Sequence, residues 1–133
     1  MVNPQRWITG IALLLLASAA GCAIPAHTAE PAPTPIAGET ADVLYFWGEG
    51  CHACHGATSF VEELGRDHPG VRFEAIETYG NATNVSRFYA VNRWLNVTPD
   101  GLPEAVADGR AFFGEAEIRN GLPGAIAAIE ARR

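Results

Sequence analysis

The spacing of apolar and polar positions changes several times along the chain, and each change marks an element. Ile8 to Ala20 is an apolar run containing Leu13-Leu14-Leu15-Leu16. It is shorter than the roughly 20 residues that span a bilayer. Ala23 to Thr40 has no apolar period and carries Pro25, Pro31, Pro33 and Pro35, so it predicts a semi-rigid, extended spacer. From Asp42 onward the patterns become structural. Val43–Trp47 is five consecutive apolar residues, which suits a strand buried on both faces. His52 to Arg66 places Ala53, Ala57, Phe60, Val61 and Leu64 on one helical face, and Gly65 with Asp67-His68-Pro69-Gly70 ends that helix. Val71, Phe73 and Ala75 alternate with Arg72 and Glu74, predicting a second strand, parallel to the first through a right-handed crossover.

Tyr79-Gly80-Asn81 turns the chain, and Ala82 to Leu95 predicts a second helix whose apolar set is Val85, Phe88, Tyr89, Val91 and Leu95. Asn96 to Gly101 reads as loop. Glu104–Ala107 and Arg110–Phe113 flank Asp108-Gly109, a strong two-residue hairpin signal. Ile118, Leu122, Ile126 and Ile129 recur at helical spacing, with Pro123 expected in the first turn of that helix and Glu115–Asn120 as a separate turn. The predicted order is βαβαββα, an α/β domain with a central four-stranded mixed sheet flanked by helices.

Composition narrows the possibilities. The 133 residues suffice for one domain, and the formal net charge is −6, from 9 basic and 15 acidic residues. All the basic residues are arginine. This balance argues against nucleic acid as the main partner. There are 3 cysteines, so one is left over after any intramolecular pair.

Two of the three lie in the stretch that organises the domain. The Val43–Trp47 strand runs through Gly48-Glu49-Gly50 into Cys51-His52-Ala53-Cys54, where the second predicted element starts. Spacing of i, i+3 brings both sulfurs to one side of a first helical turn. Unpaired backbone N–H groups and the helix dipole there favour a thiolate. An aromatic-ended strand leading through a short turn into Cys-x-x-Cys resembles the thioredoxin-like superfamily, thioredoxins and glutaredoxins among them, and the likeness runs from about Asp42 to the C-terminus. The resemblance implies a minimal thioredoxin-like fold and a thiol–disulfide oxidoreductase. In it Cys51 is the exposed attacking thiolate and Cys54 the more buried resolving thiol. A protonated His52 would stabilise the Cys51 thiolate. No cofactor is expected beyond the redox-active Cys51–Cys54 disulfide. The partners would be protein thiols and disulfides together with a membrane electron donor or acceptor, and the domain would act as a monomer.

The resemblance also implies a cis-proline opening the strand that faces the dithiol. Pro103 occupies that place, with Pro99 as the rival. The residue after it is Glu104, where the superfamily commonly has a small or β-branched side chain.

Other readings use the same residues. Cys51-His52-Ala53-Cys54-His55 also satisfies the Cys-x-x-Cys-His attachment pattern of c-type haem, with His55 as the proximal ligand. The same cluster could carry a soft or borderline metal ion. A static disulfide in an exported interaction domain is a third possibility. Asn81, Asn84 and Asn96 each begin an Asn-x-Ser/Thr triplet, and are read as helix-capping or loop residues.

The third cysteine has its own setting. Arg6, the apolar run and Ala19-Ala20-Gly21-Cys22 resemble a bacterial lipoprotein signal, in which the cysteine is lipidated and becomes the first residue. This divides the chain into a signal peptide (1–21), a lipid-anchor cysteine with a proline-rich linker (22–41) and a thioredoxin-like domain (42–133). It places the protein outside the cytoplasm, in the periplasm or an equivalent compartment, tethered to the membrane through Cys22.

Overall fold

The computed structural model describes residues 39–133, so the leader, Cys22 and most of the linker lie outside the described residues. The element order is β1 (Val43–Trp47), α1 (Cys54–Asp67), β2 (Phe73–Glu77), α2 (Ala82–Leu95), β3 (Glu104–Ala107), β4 (Arg110–Phe113) and α3 (Gly114–Ala131). One sheet forms in the order β2-β1-β3-β4. β2 runs parallel to β1, β3 antiparallel to β1, and β4 antiparallel to β3. This is the α/β, four-stranded mixed sheet of a minimal thioredoxin-like fold.

β1 is central because both its faces are apolar. Val43 and Tyr45 enter one cluster with Ala57, Val61 and Leu64 of α1 and Ile118, Leu122, Ala125, Ile126 and Ile129 of α3. Leu44 and Phe46 enter a second, smaller cluster with Ile76, Val106 and, from α2, Phe88 and Val91. The hairpin turn between β3 and β4 places Asp108 and Gly109 both at positive φ, 52° and 69°. That is the requirement that makes Asp-Gly a good two-residue turn.

Several elements depart from the pattern read along the sequence. α1 begins at Cys54, not His52, because Cys54 N–H bonds to Cys51 C=O and His55 N–H to His52 C=O. Residues 51–53 therefore form a tight turn ahead of the helix. β2 occupies Phe73–Glu77 and not Val71–Ala75. Val71 is buried in a turn closed by its N–H on His68 C=O, while Ala75 is exposed and Ile76 points inward. α3 is one continuous helix with Pro123 in its interior. Proline there removes an internal hydrogen bond, yet the helix continues because Ile118 and Leu122 before it and Ala125, Ile126 and Ile129 after it all bury in the same cluster. On α2, Tyr89 is 53% exposed, and Asn92 is buried together with Phe88 and Val91.

The end of the linker is held to the domain. Arg87 of α2 pairs with both Glu39 and Glu74, donating from Nε to Glu39 at 2.7 Å and from Nη1 to Glu74 at 2.7 Å. These hydrogen bonds, from Glu74 first and then Glu39, raise the Arg87 guanidinium above its ordinary value. Asp42 accepts from the Arg72 backbone N–H at 2.8 Å and side chain at 3.2 Å, and from Arg133. Partial burial alone would raise the Asp42 carboxyl, but these bonds outweigh it and hold it at about 2. Asn81 caps α2 by accepting the Thr83 and Asn84 N–H groups, and Asn96 ends it in the left-handed region at φ 57°.

Candidate functional site

The dithiol sits where β1 ends. A buried strand delivers the chain to the sheet edge. Gly48 accepts the Cys51 N–H at 3.0 Å, closing the turn, and the disulfide Cys51–Cys54 closes the next one. The first turn of α1 then fixes Cys54 from the core side. Thr58 Oγ1 donates to Cys54 C=O at 2.8 Å, and Tyr45 Oη, from β1, lies 2.9 Å from Thr58 Oγ1. Burial raises the Tyr45 phenol above its ordinary value, so it remains neutral and available for hydrogen bonding.

Both sulfur-bearing residues are largely buried, Cys51 at 7% exposure and Cys54 at 1%. Cys51, expected to be exposed, is buried in the disulfide form, and Cys54 is the more buried of the two. The disulfide closes this short turn, so a reductant or partner thiol can approach it only where the turn meets solvent. His52 and His55 both lie on the surface, with ring centroids 5.7 Å apart. His52 makes no side-chain hydrogen bond among the described residues. Among those residues no group of three or more His, Cys, Asp or Glu side chains is placed to hold a metal ion.

A groove of about 490 Å³ opens beside the disulfide, lined by Trp47, Gly48, Glu49, Gly50, Cys54, His55, Thr58, Ser59 and Glu62. Its far wall is α1, and Glu49 and Glu62 give it negative charge. α3 meets the same region. The Glu115 carboxylate packs on Gly56, where an added methyl group would lie 2.3 Å from it, and Arg119 donates to Gly56 C=O at 3.1 Å.

The Leu102–Pro103 peptide is cis. β3 pairs antiparallel with β1 so that Glu104 lies opposite Phe46, one residue before the end of β1. Pro103 therefore enters the sheet at the edge from which the dithiol turn departs. Its carbonyl accepts the Gly114 N–H at 2.8 Å, which ties the start of α3 to the same corner. Pro99 lies in the preceding loop, within a second pocket of about 430 Å³ lined also by Tyr89, Arg93 and Asn96.

At this corner Asn92 was not read from the sequence, and Glu104 was read only as a departure from the superfamily pattern, not as a buried carboxyl. Glu104 is fully buried at 0% exposure, and Asn92 of α2 donates Nδ2 to both its carboxylate oxygens, at 3.1 and 2.9 Å. Burial pushes the Glu104 carboxyl up to about 7, and the Asn92 hydrogen bond only partly opposes this. The Asn92 Oδ1 is buried and has no partner among the described residues. A signal existed for Asn92, which falls one turn beyond Phe88 on the apolar face of its helix. For Glu104 the signal was its place at the start of an otherwise apolar strand, between Pro103 and Ala105.

No known protein-family profile matches the chain, and no curated protein sequence does. Among solved structures it resembles plant glutaredoxins. The holo form of glutaredoxin C1 from Populus tremula × tremuloides has 17% identity, covering 68% of this chain and 80% of that one, with a TM-score of 0.49. A wheat glutaredoxin has 21% identity, covering 66% and 77%, with a TM-score of 0.45. A buckwheat glutaredoxin–glutathione complex has 19% identity, covering 66% and 74%, with a TM-score of 0.43. The chemistry of the site rests on its own geometry: a Cys51–Cys54 disulfide at the strand-to-helix turn of a thioredoxin-like fold.

Proposed function

We propose that this domain is an exported thiol–disulfide oxidoreductase, tethered to the membrane through Cys22, that exchanges disulfides with partner proteins. The observation that carries the reading is the disulfide itself. It joins two cysteines three apart, the second of which lines a groove, and Pro103 enters the sheet at the same end of β1. A disulfide closing so short a loop removes little chain entropy, so a purely structural role gains little from it.

In the reducing direction, the Cys51 thiolate attacks one sulfur of a partner disulfide. A mixed disulfide forms, and the other partner sulfur leaves as a thiolate. Cys54, deprotonated, then attacks Cys51 Sγ, and the second partner sulfur leaves. The partner gains two electrons and the Cys51–Cys54 disulfide is restored. Oxidation of a partner dithiol is the same sequence reversed. His52, on the solvent side of Cys51, would favour the thiolate when protonated. Pro103 opens the strand against which an extended partner segment would lie. No cofactor enters these steps. A membrane electron donor or acceptor resets the dithiol, and the domain works as a monomer.

The test is trapping. A Cys54→Ser variant should accumulate mixed disulfides with partner proteins, and a Cys51→Ser variant should not. In the reduced domain Cys51 should be alkylated near neutral pH much faster than Cys54. Equal rates, or no trapping by either variant, would count against the assignment. For the tether, mass spectrometry of the mature protein should find Cys22 as an acylated first residue.

A further inference from the structure

Beside the dithiol turn stands an aromatic ring that the exchange chemistry leaves unused. Tyr79 follows β2 and is 63% exposed, more than any other large hydrophobic side chain among the described residues. One face of the ring is nonetheless seated. It lies against Gly48, where an added methyl group would sit 2.6 Å from the ring. Gly48 is also the residue whose carbonyl accepts the Cys51 N–H. The ring is therefore two contacts from the first cysteine.

The loop that carries it is fastened to the same turn. The Glu77 carboxylate accepts the N–H of Tyr79 at 2.8 Å and of Gly80 at 3.1 Å on its own loop, and of Glu49 at 3.2 Å across the gap. Thr78 N–H bonds to Trp47 C=O at 2.8 Å. The bond from Glu49, then that from Gly80, holds the Glu77 carboxyl below its ordinary range, so the clamp stays charged. A ring fixed on one face and bare on the other has little freedom left to lose when a partner covers it.

We infer that Tyr79 is a specificity-determining residue of the dithiol site, receiving an apolar side chain that flanks the reacting cysteine of a protein substrate. The inference rests on the exchange reading above. The bare ring face is best covered by an apolar group, because that removes apolar surface from water on both sides. The exposed Glu49 and the half-buried Glu77 beside it disfavour an acidic flank. Tyr79 itself moves no electron and no proton, so small disulfides that cannot reach it are indifferent to it.

The experiment mixes the reduced domain with three cyclic disulfide peptides, in which Leu, Gly or Asp precedes the first cysteine, and with hydroxyethyl disulfide. Second-order exchange rates are read from thiol release. The wild-type domain should prefer the Leu peptide over the Gly peptide, with the Asp peptide slowest. Tyr79→Ala should slow the Leu peptide about fivefold, a size expected of one aromatic contact. Tyr79→Phe should keep the wild-type rate, and the Gly peptide and hydroxyethyl disulfide should not respond to either variant. Equal wild-type rates for Leu and Gly peptides overturn the inference even if Tyr79→Ala does not fold, as does an equal slowing of all four substrates by that variant. If the wild-type domain reacts with none of them, the exchange reading itself fails.

Discussion

The sheet face under α1 and α3 buries fourteen side chains in one cluster, whereas the face under α2 buries six and adds the Glu104–Asn92 pair. Among the described residues the first face contains no buried ionisable side chain other than the Tyr45 phenol, whose shift keeps it neutral. The second holds a carboxyl pushed up to about 7 with only an amide to offset its burial. Hydrophobic burial of the first kind is indifferent to protons. A buried carboxyl makes stability a function of pH. The bulk of the fold therefore rests on the face that carries the dithiol helix, and the response to acid and base rests on the other.

The largest expected effect tests the asymmetry of packing. Ile126→Ala, in the larger cluster, should lose about 4 kcal/mol in urea unfolding, and Ile76→Ala, at the sheet's edge strand, about 2 kcal/mol. Equal losses would break the comparison. The next effect concerns Glu104. Its folded pKa of about 7 lies above the ordinary 4.5, so the folded state holds the proton more tightly. Its contribution is fully present below 4.5 and is lost as pH rises through 7. The fall should be of the order of 3 kcal/mol between those limits. Glu104→Gln should flatten that part of the stability profile, and an unchanged slope in this variant would place the titration elsewhere.

Asn92→Leu sharpens the same point. Without its donor the carboxylate has no partner, so the variant should lose about 1–2 kcal/mol more at pH 8 than at pH 5. The smallest effect lies on the acid side. Asp42, held at about 2 against an ordinary 3.8, contributes stability above 3.8 that is lost as pH falls toward 2. Its partners are solvent-screened, so Asp42→Asn should cost less than about 1 kcal/mol at pH 6 and progressively less as pH falls toward 2. These two groups alone place maximum stability between 3.8 and 4.5.

Much of this was legible along the chain, for identifiable reasons. β1 was clear because five apolar residues in a row leave no polar face to expose. The β3–β4 hairpin was clear because Asp108-Gly109 supplies both positive φ values. β2 was shifted because Val71 is apolar for the sake of a turn, while the strand's register is set by pairing Val43 with Phe73. Pro123 misled because a local penalty was outweighed by burial on either side of it. The Cys51–Cys54 pair could be named from its spacing, and Pro103 only through the family resemblance, with Pro99 as its rival. Glu104 and Asn92 left only their places on apolar stretches as a signal, since each is polar and its burial depends on the other. Tyr79 read only as part of a turn, because the ring's seat, Gly48, is thirty-one residues away in the chain.

The chain enters β1 at Asp42 and leaves it at Trp47 for the dithiol, so the two lie at opposite ends of the central strand. Five residues of strand span about 17 Å. If the segment before Asp42 is the tether, the reactive sulfurs face outward from the surface that holds it, like the tip of a pendulum rather than its pivot. An extended spacer of the sixteen residues before Glu39, which Arg87 holds, would give that tip a swing of up to about 55 Å. Such a geometry favours partners that project from the same membrane or pass through the adjoining space. Shortening the spacer would then restrict the set of reachable partners while leaving exchange with small disulfides in solution unchanged.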